Sequence, residues 1–154
     1  MTKATNYIPD GFNTVSVFLI ADGADGLIEF MTKGLGGELG FVMRDNDKKV
    51  SHASVKIGNS TIMLGDTMRG MEPQSAMLYL YVKDPDSLYN KAVKAGAESI
   101  REMKDEYWGD RAGGVKDKWG NTWWFAAQVE DLSPDEVKRR AEEAYKKEAE
   151  VAAH

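Results

Sequence analysis

The chain has few residues of the kinds that carry out covalent chemistry. It contains no cysteine, which excludes thiolate nucleophiles, disulfides and thiolate metal sites. No serine stands in a glycine-flanked elbow, and His52 has no evident orienting acid, so nucleophilic catalysis has no support. The acidic residues Glu102, Asp105 and Glu106 are candidates for general acid–base work, but their pattern is more typical of a solvated hairpin.

Metal binding through histidine is restricted in the same way. The chain has two histidines, His52 and the terminal His154. Alternation along Ser51–Val55 turns His52 away from the apolar face that carries Ala53 and Val55, toward a cleft or toward solvent. Because no acidic residue stands near His52 at ligand spacing, a structural role is at least as well supported as a metal or ligand contact.

An internal repeat indicates how these residues are positioned. The turn Gly58-Asn59-Ser60 returns as Gly120-Asn121-Thr122, at an offset of 62 residues. The same offset relates Asp22 to Asp84 and Gly34 to Gly96. Two copies of one supersecondary unit predict a pseudo-symmetric domain with a cleft where the copies meet.

Hydrophobic periodicity and turn residues predict the order β-α-β-β-β in each copy. In the first copy we expect strands at 13–20, 38–43, 50–57 and 61–64, with a helix at 26–33. In the second we expect strands at 76–82, 99–104, 114–117 and 121–128, with a helix that begins at Asp84-Pro85 and ends at Gly96. Ser133-Pro134-Asp135-Glu136 then predicts the start of a charged C-terminal helix.

Composition excludes several classes of partner. The net charge of -5 and the scattered basic residues argue against nucleic acid. No segment has the roughly 20 apolar residues of a membrane span, and the N-terminal residues lack the apolar core of a signal peptide. We therefore expect one cytoplasmic domain without a membrane partner.

In this repeat, the sequence resembles the vicinal oxygen chelate superfamily, the glyoxalase and bleomycin-resistance group built from paired βαβββ modules. The segments Tyr107–Arg111 and Asp117–Trp123 look most like its PhnB-like branch, although Lys118 replaces a proline usual there. The resemblance covers residues 12–131. It implies an α+β fold in which module 1 (about 13–66) and module 2 (about 76–128) pair into a curved, cleft-forming mixed sheet, with 132–154 as a helical appendage.

The resemblance also indicates where a catalytic metal would be held. Its ligands would come from the first and last strands of each module, which aligns them with Val15, Ile62, Met77 and Trp124. None of these side chains offers the imidazole or carboxylate that hard and borderline cations need, and a one-residue shift of register offers none either. We therefore expect neither a metal nor another cofactor.

The cleft predicted in this way is apolar and aromatic. Alternation places Val15, Val17, Ser60, Ile62 and Leu64 of module 1, and Met77, Tyr79, Tyr81, Thr122, Trp124 and Ala126 of module 2, on its surface. The candidate ligand-binding residues are His52, Met77, Tyr79, Trp108, Arg111 and Trp124. Trp108 would form a wall or lid and Arg111 would pair with an anionic group, whereas the alternative is that Arg111 pairs within the protein and tryptophans fill the cleft.

We therefore expect a metal-free protein that binds a small, partly aromatic molecule, as sequestering resistance proteins do, and that forms a homodimer. The alternative is a metal-dependent lyase or isomerase of the glyoxalase type with a displaced metal site. A third reading is an interaction module whose cleft is filled. Elemental analysis, ligand titration and a structure separate the three.

Overall fold

The computed structural model describes residues 1–154 and contains two βαβββ modules followed by a helix. Module 1 consists of β1 (Val17–Ala21), α1 (Ala24–Gly34), β2 (Glu38–Arg44), β3 (Val50–Ile57) and β4 (Ser60–Asp66). Module 2 consists of β5 (Met77–Tyr81), α2 (Pro85–Lys94), β6 (Glu98–Asp105), β7 (Asp110–Lys116) and β8 (Thr122–Gln128), and α3 (Pro134–Ala152) follows. The α+β class and the element order expected from the sequence are confirmed.

Each module forms its own four-stranded mixed sheet. The strand orders are β1-β4-β3-β2 and β5-β8-β7-β6, with β1–β4 and β5–β8 parallel and the other pairs antiparallel. Between the modules, one bridge joins Ile20 to Gln74, just ahead of β5. The sequence suggested one curved sheet, but the strands β1 and β5 do not pair beyond this bridge. Two sheets with a gap between their inner edges result.

A single hydrophobic core joins the two modules. It includes Leu27 and Phe30 of α1 together with Trp123 and Phe125 of β8. The Phe30 and Trp123 ring centroids are 6.4 Å apart, and α1 packs against α2. The apolar faces of both sheets are therefore covered by helices that contact each other, and the two modules share one core.

Equivalent positions of the modules lie 61 residues apart in the strands next to the gap. The helix N-caps are Gly23 and Asp84, and the pair Leu19–Leu64 of module 1 has Leu80–Phe125 as its counterpart. The expected offset of 62 holds for the turn glycines but is wrong for these strands. For β4 and β8 the reason is that the β7–β8 connection is longer than the two-residue turn between β3 and β4.

Because of this one-residue difference, the sequence prediction assigned the wrong residues to the open face of the module 1 sheet. Leu64 and Ile62 are buried in the core, and Val17 packs against it, so these residues belong to the core face of the module 1 sheet. Phe18 and Met63, which pair across β1 and β4, lie on the opposite face. In a strand a shift of one residue exchanges the two faces completely. The faces expected for β5 and β8 of module 2 are confirmed, since Leu78, Trp123 and Phe125 are buried in the core.

The helix starts follow local capping chemistry in two of three cases. Asp84 accepts a hydrogen bond from Ser87 N, and Ser133 accepts one from Glu136 N, as the sequence predicted. The α1 start differs, because Asp66 at the end of β4 accepts from Gly23 N and Ala24 N at 3.1 and 2.8 Å. None of the helices is both long and apolar enough to cross a membrane.

Candidate functional site

A cavity of about 630 Å³ lies in the gap between the inner strands of the two modules. Its walls are β5, the residues that lead into β1, and the β3–β4 turn with the start of β4. The lining comprises Asn13, Val15, Ser16, Val17, Ile57, Gly58, Asn59, Ser60, Thr61, Ile62 and residues 77–82. No charged side chain is among them, and a few hydroxyl and amide groups interrupt an apolar surface. Such lining suits a mostly apolar ligand oriented by a small number of hydrogen bonds.

The β5 wall presents large side chains to solvent. Met77 and Tyr81 are each 66% exposed and Tyr79 is 38% exposed, while the intervening Leu78 is buried. This follows from alternation along a strand with one covered face. The three exposed side chains are the most accessible apolar groups on this part of the cavity.

The indole of Trp124 on β8 extends this wall across the sheet from Tyr79. Tyr79 pairs with Trp124 of β8, and their rings are stacked with centroids 6.4 Å apart and planes 12° from parallel. The indole of Trp124 has room because residue 114 on β7 is glycine. A Cβ built on Gly114 would lie 2.9 Å from two ring atoms of Trp124. Gly114 therefore allows the ring to lie against the strand.

The polar centre of this wall is Asp110, a residue that the sequence did not single out. Asp110 is 5% exposed, and its Oδ2 accepts hydrogen bonds from Tyr81 Oη at 2.9 Å, Trp108 Nε1 at 3.1 Å and Tyr79 Oη at 3.2 Å. Burial, reinforced by the Asp110 charge, raises the pKa of Tyr79 to about 12. The hydrogen bond to Asp110 is the main cause that raises the pKa of Tyr81. Both phenols are therefore neutral donors at physiological pH.

Trp108 reaches this centre from the hairpin between β6 and β7. Its ring packs edge-on against Tyr107 with centroids 5.0 Å apart, and Tyr107 in turn contacts Tyr145 of α3. The hairpin is held by Glu106, whose backbone N–H donates to Asp110 O. Trp108 thus lies at the end of the aromatic wall, anchored to the same carboxylate as the two tyrosines.

Arg111 lies on the other side of the sheet. Its guanidinium donates to both carboxylate oxygens of Asp86 on α2, at 2.7 and 2.8 Å, and to Asp105 at 3.2 Å. These hydrogen bonds raise the pKa of Arg111 and lower that of Asp86. The structure agrees with the alternative that Arg111 pairs within the protein. The guanidinium ties α2 to β6 and β7.

His52 lies on the open face of module 1. Its ring is 5.5 Å from that of Phe18 and 5.2 Å from that of Phe41. Phe41 and Met43 on β2 are half exposed, so this face is also apolar and accessible. The six candidate residues therefore do not form a single site. Met77 and Tyr79 line the cavity, Trp108 and Trp124 extend its wall, and Arg111 and His52 lie apart from it.

The segment Asp117–Trp123 has a structural role. Buried Asp117 accepts four hydrogen bonds of 2.8–2.9 Å, two from backbone N–H groups and two from the side chains of Asn121 and Trp123. Asn121 Oδ1 then accepts from Ala76 N, just before β5. The Trp119 indole donates to Asp22 O of module 1. This turn fixes β8 and joins the modules on the helix side.

The structure changes two of the four positions at which the sequence resemblance would place metal ligands. With the corrected offset, the counterparts of Met77 and Trp124 are Ser16 and Met63. A thioether, a hydroxyl and an indole do not provide the donor set of a divalent cation of the Mn, Fe, Ni or Zn type. Elsewhere in the chain, no three histidine, aspartate or glutamate side chains converge. The residues present do not fit a metal of the kind that the fold family implies.

The sequence and the fold place the chain in a known family. Residues 13–125 match the Glyoxalase/Bleomycin resistance protein/Dioxygenase superfamily, and the chain belongs to it. Relatives include an uncharacterized protein of Mycobacterium tuberculosis strain H37Rv, 32% identical over 148 residues, covering 88% of this chain and 84% of that protein. Another, from Mycobacterium bovis, is 33% identical over 135 residues, covering 80% and 88% respectively.

Solved structures share the fold at low sequence identity. TioX from Micromonospora sp. ML1 superposes with a TM-score of 0.65 at 21% identity, covering 76% of this chain and 99% of its own. A glyoxalase/bleomycin resistance protein/dioxygenase from Nocardioides gives 0.60 at 20% identity over 84% and 90%. A PhnB protein from Bacillus cereus, described as a putative 3-demethylubiquinone-9 3-methyltransferase, gives 0.57 at 16% identity over 75% and 99%. These likenesses establish the fold.

Proposed function

We propose that this protein binds a small, partly aromatic molecule in the cavity between its two modules, without a metal ion. The observation that carries the proposal is the open cavity of about 630 Å³, walled by Met77, Tyr79 and Tyr81 and free of charged lining residues. Small-molecule sites in proteins commonly enclose 300–1,000 Å³ behind mainly apolar walls. The open cavity argues against the reading in which side chains fill the cleft.

The aromatic wall defines how such a ligand would sit. The Tyr79 and Trp124 rings are nearly parallel and stacked, so they present an aromatic surface of one orientation along one side of the gap. A planar ring that stacks on this surface gains dispersion and quadrupole energy of about 0.5–1.5 kcal/mol per aromatic contact beyond its apolar burial. Thr61 and Ser60 across the cavity offer hydroxyl oxygens that can accept hydrogen bonds, since their hydroxyl hydrogens are donated to Gly11 O and Asn59 Oδ1.

A homodimer is part of the proposal. Phe41 and Met43 of module 1 and Met77 and Tyr81 of module 2 leave large apolar areas exposed on both open faces. Contiguous exposed apolar surface of this kind marks an interaction site. A second copy that packs its module 1 face near the module 2 face would cover both and close the cavity.

The binding proposal is tested by titrating the purified protein with a panel of planar aromatic compounds and following its tryptophan fluorescence. We expect saturable quenching by at least one compound, and at least tenfold weaker binding after Tyr79→Ala. Tyr7→Ala is the matched control, because it removes the same side chain from an exposed N-terminal position. Absence of quenching by every compound, or equal affinity for Tyr79→Ala and wild type, would contradict the proposal.

The alternative of a metal-dependent glyoxalase-type lyase predicts a different result. Elemental analysis of the purified protein would then find a stoichiometric divalent metal, and the protein would turn over a glutathione hemithioacetal. The donor chemistry of Ser16, Met63, Met77 and Trp124 favours the metal-free reading. Finding a stoichiometric metal in the purified protein would contradict the metal-free proposal.

In the cell, we propose that the protein confers resistance by sequestering a toxic compound in this cavity. Cells that express the protein should tolerate a higher concentration of a toxic compound that binds in the cavity. The Tyr79→Ala variant, produced to the same level, should give no protection. Equal protection by both proteins would show that tolerance does not depend on binding in the cavity.

A further inference from the structure

The polar hydrogen atoms of the aromatic wall, which consists of Tyr79, Tyr81, Trp108 and Trp124, already form hydrogen bonds within the protein where they belong to Tyr79, Tyr81 and Trp108. Tyr79 and Tyr81 each have one hydroxyl hydrogen and Trp108 has one indole N–H, and all three donate to Asp110 Oδ2. To a ligand, the two phenols therefore offer lone pairs and ring faces but no donor. A ligand group that meets this wall must bring the hydrogen or the positive charge itself.

The buried carboxylate bonded to this wall carries a negative charge. Asp110 is 5% exposed and its three side-chain partners are neutral, so no cation offsets its charge through these bonds. Because a buried charge is poorly screened, its field extends through the phenol layer into the cavity. The electron-rich ring faces of Tyr79 and Tyr81 add attraction of the same sign for a cation.

Three basic residues of this sheet each face a carboxylate. Arg111 lies on the helix side with Asp86 and Asp105. On β6, Arg101 Nη2 is 2.9 Å from Glu106 Oε1, and Lys104 Nζ is 4.0 Å from Glu106 Oε2. No basic side chain lines the cavity. An anionic ligand would therefore enter a gap without a counter-charge, next to a buried aspartate.

We propose that the cavity selects aromatic ligands that carry a protonated nitrogen, and that the Asp110 charge, relayed by Tyr79 and Tyr81, is the source of this selectivity. The inference rests on the proposed function, since it concerns the ligand of the same cavity. It reverses the sign of charge that the sequence suggested, where Arg111 was expected to pair with an anionic group.

The test is a series of three ligands with one ring system and different charges. Isothermal titration calorimetry at pH 7 would compare 1-naphthylmethylammonium, 1-naphthylmethanol and 1-naphthylacetate on the native protein. We expect the ammonium compound to bind about tenfold more tightly than the alcohol, as a partly desolvated cation–π contact near a carboxylate would give. The acetate should bind more weakly than the alcohol.

Two variants assign the preference to one carboxylate. Asp110→Asn keeps the shape of the side chain and removes its charge, so the ammonium and the alcohol should then bind within about threefold of each other. Asp105→Asn removes the same charge from the opposite side of the sheet, where its side chain is 72% exposed, and should keep the tenfold preference. Retention of the preference in Asp110→Asn would overturn the assignment.

The outcomes separate this inference from the proposed function. If none of the three compounds binds the native protein, while no other planar compound does either, the binding function itself fails. If the alcohol or the acetate binds as tightly as the ammonium compound, the binding function stands and the charge selectivity is wrong. Because the ligand series uses native protein, it decides the selectivity even if Asp110→Asn lowers stability.

Discussion

The Asp117 turn allows a quantitative test of how module 2 is held together. Asp117 Oδ1 accepts from Trp119 N and Asn121 N, both at 2.9 Å, and Oδ2 accepts from Asn121 Nδ2 at 2.9 Å and Trp123 Nε1 at 2.8 Å. Asp117→Asn retains the size of the side chain but replaces one of these oxygens by an NH₂ group. In either orientation of the amide, two N–H groups of the turn then face the NH₂ group of the asparagine, which is itself a donor.

The expected loss of stability follows from those two broken contacts. Hydrogen bonds to a charged group contribute about 1.5–3 kcal/mol each, and a buried donor left without a partner keeps its full desolvation cost. Trp123 and Asn121 are fully buried, so water cannot replace the lost acceptor. We expect Asp117→Asn to lower the free energy of unfolding by about 4 kcal/mol. For a chain of this size that corresponds to a fall in Tm of roughly 12 °C.

Urea denaturation followed by tryptophan fluorescence would measure this change, with circular dichroism as a second probe of two-state behaviour. Asp47→Asn is the matched control, because Asp47 is exposed in the β2–β3 hairpin and its side chain makes no hydrogen bond. The control should differ from wild type by less than about 0.5 kcal/mol. A loss below about 1 kcal/mol for Asp117→Asn would refute the view that this carboxylate organises the turn.

Three further perturbations probe other parts of the structure. Gly114→Ala should cost about 1–3 kcal/mol and change the near-ultraviolet circular dichroism, because the new methyl group displaces the Trp124 ring, and an unchanged spectrum would contradict the packing. Hydrogen bonds from Arg139, then from its neighbour at position 140, hold the pKa of Glu136 at about 2, below its unfolded value of about 4.5. That support for α3 is complete above the unfolded pKa and is lost as the pH falls toward 2, so amide exchange in α3, corrected for intrinsic rates, should accelerate at pH 3 in wild type but not in Glu136→Gln. In the folded state one phenol should ionise near pH 12, and the 295 nm difference between wild type and Tyr79→Phe after a rapid pH jump should show it, whereas a midpoint near 10 would be inconsistent with its burial.

Local signals were sufficient for most of the fold. The strand at 50–57 was predicted with its observed bounds, and α2 begins at Pro85 behind its Asp84 cap, because these features depend on residues that are neighbours in sequence. The first strand begins at Val17 rather than at Asn13, since the residues before it line the cavity instead of pairing. The α1 cap was missed because Asp66 is 42 residues from Ala24 in sequence.

The site was predictable only in part. Alternation along Met77–Tyr81 correctly gave the exposed face of β5, since a strand with one buried face has only two arrangements. The face of module 1 was wrong because Asp84 was matched to Asp22, whereas its counterpart as helix N-cap is Gly23, and because the matched turn glycines lie in turns of different length. Asp110 was passed over because its partners at positions 79 and 81 are about 30 residues away, and no local spacing links them.

The residue order alone therefore determined the paired βαβββ modules, the family and the apolar, aromatic character of the region between them, because periodicity and turn residues act over short distances. The tertiary structure decided which side of the sheet each charged group occupies. It placed Arg111 under α2 with Asp86 and brought Asp110 behind the tyrosines that face the cavity. Those positions depend on strand pairing between distant segments, and a shift of one residue in that pairing reverses them.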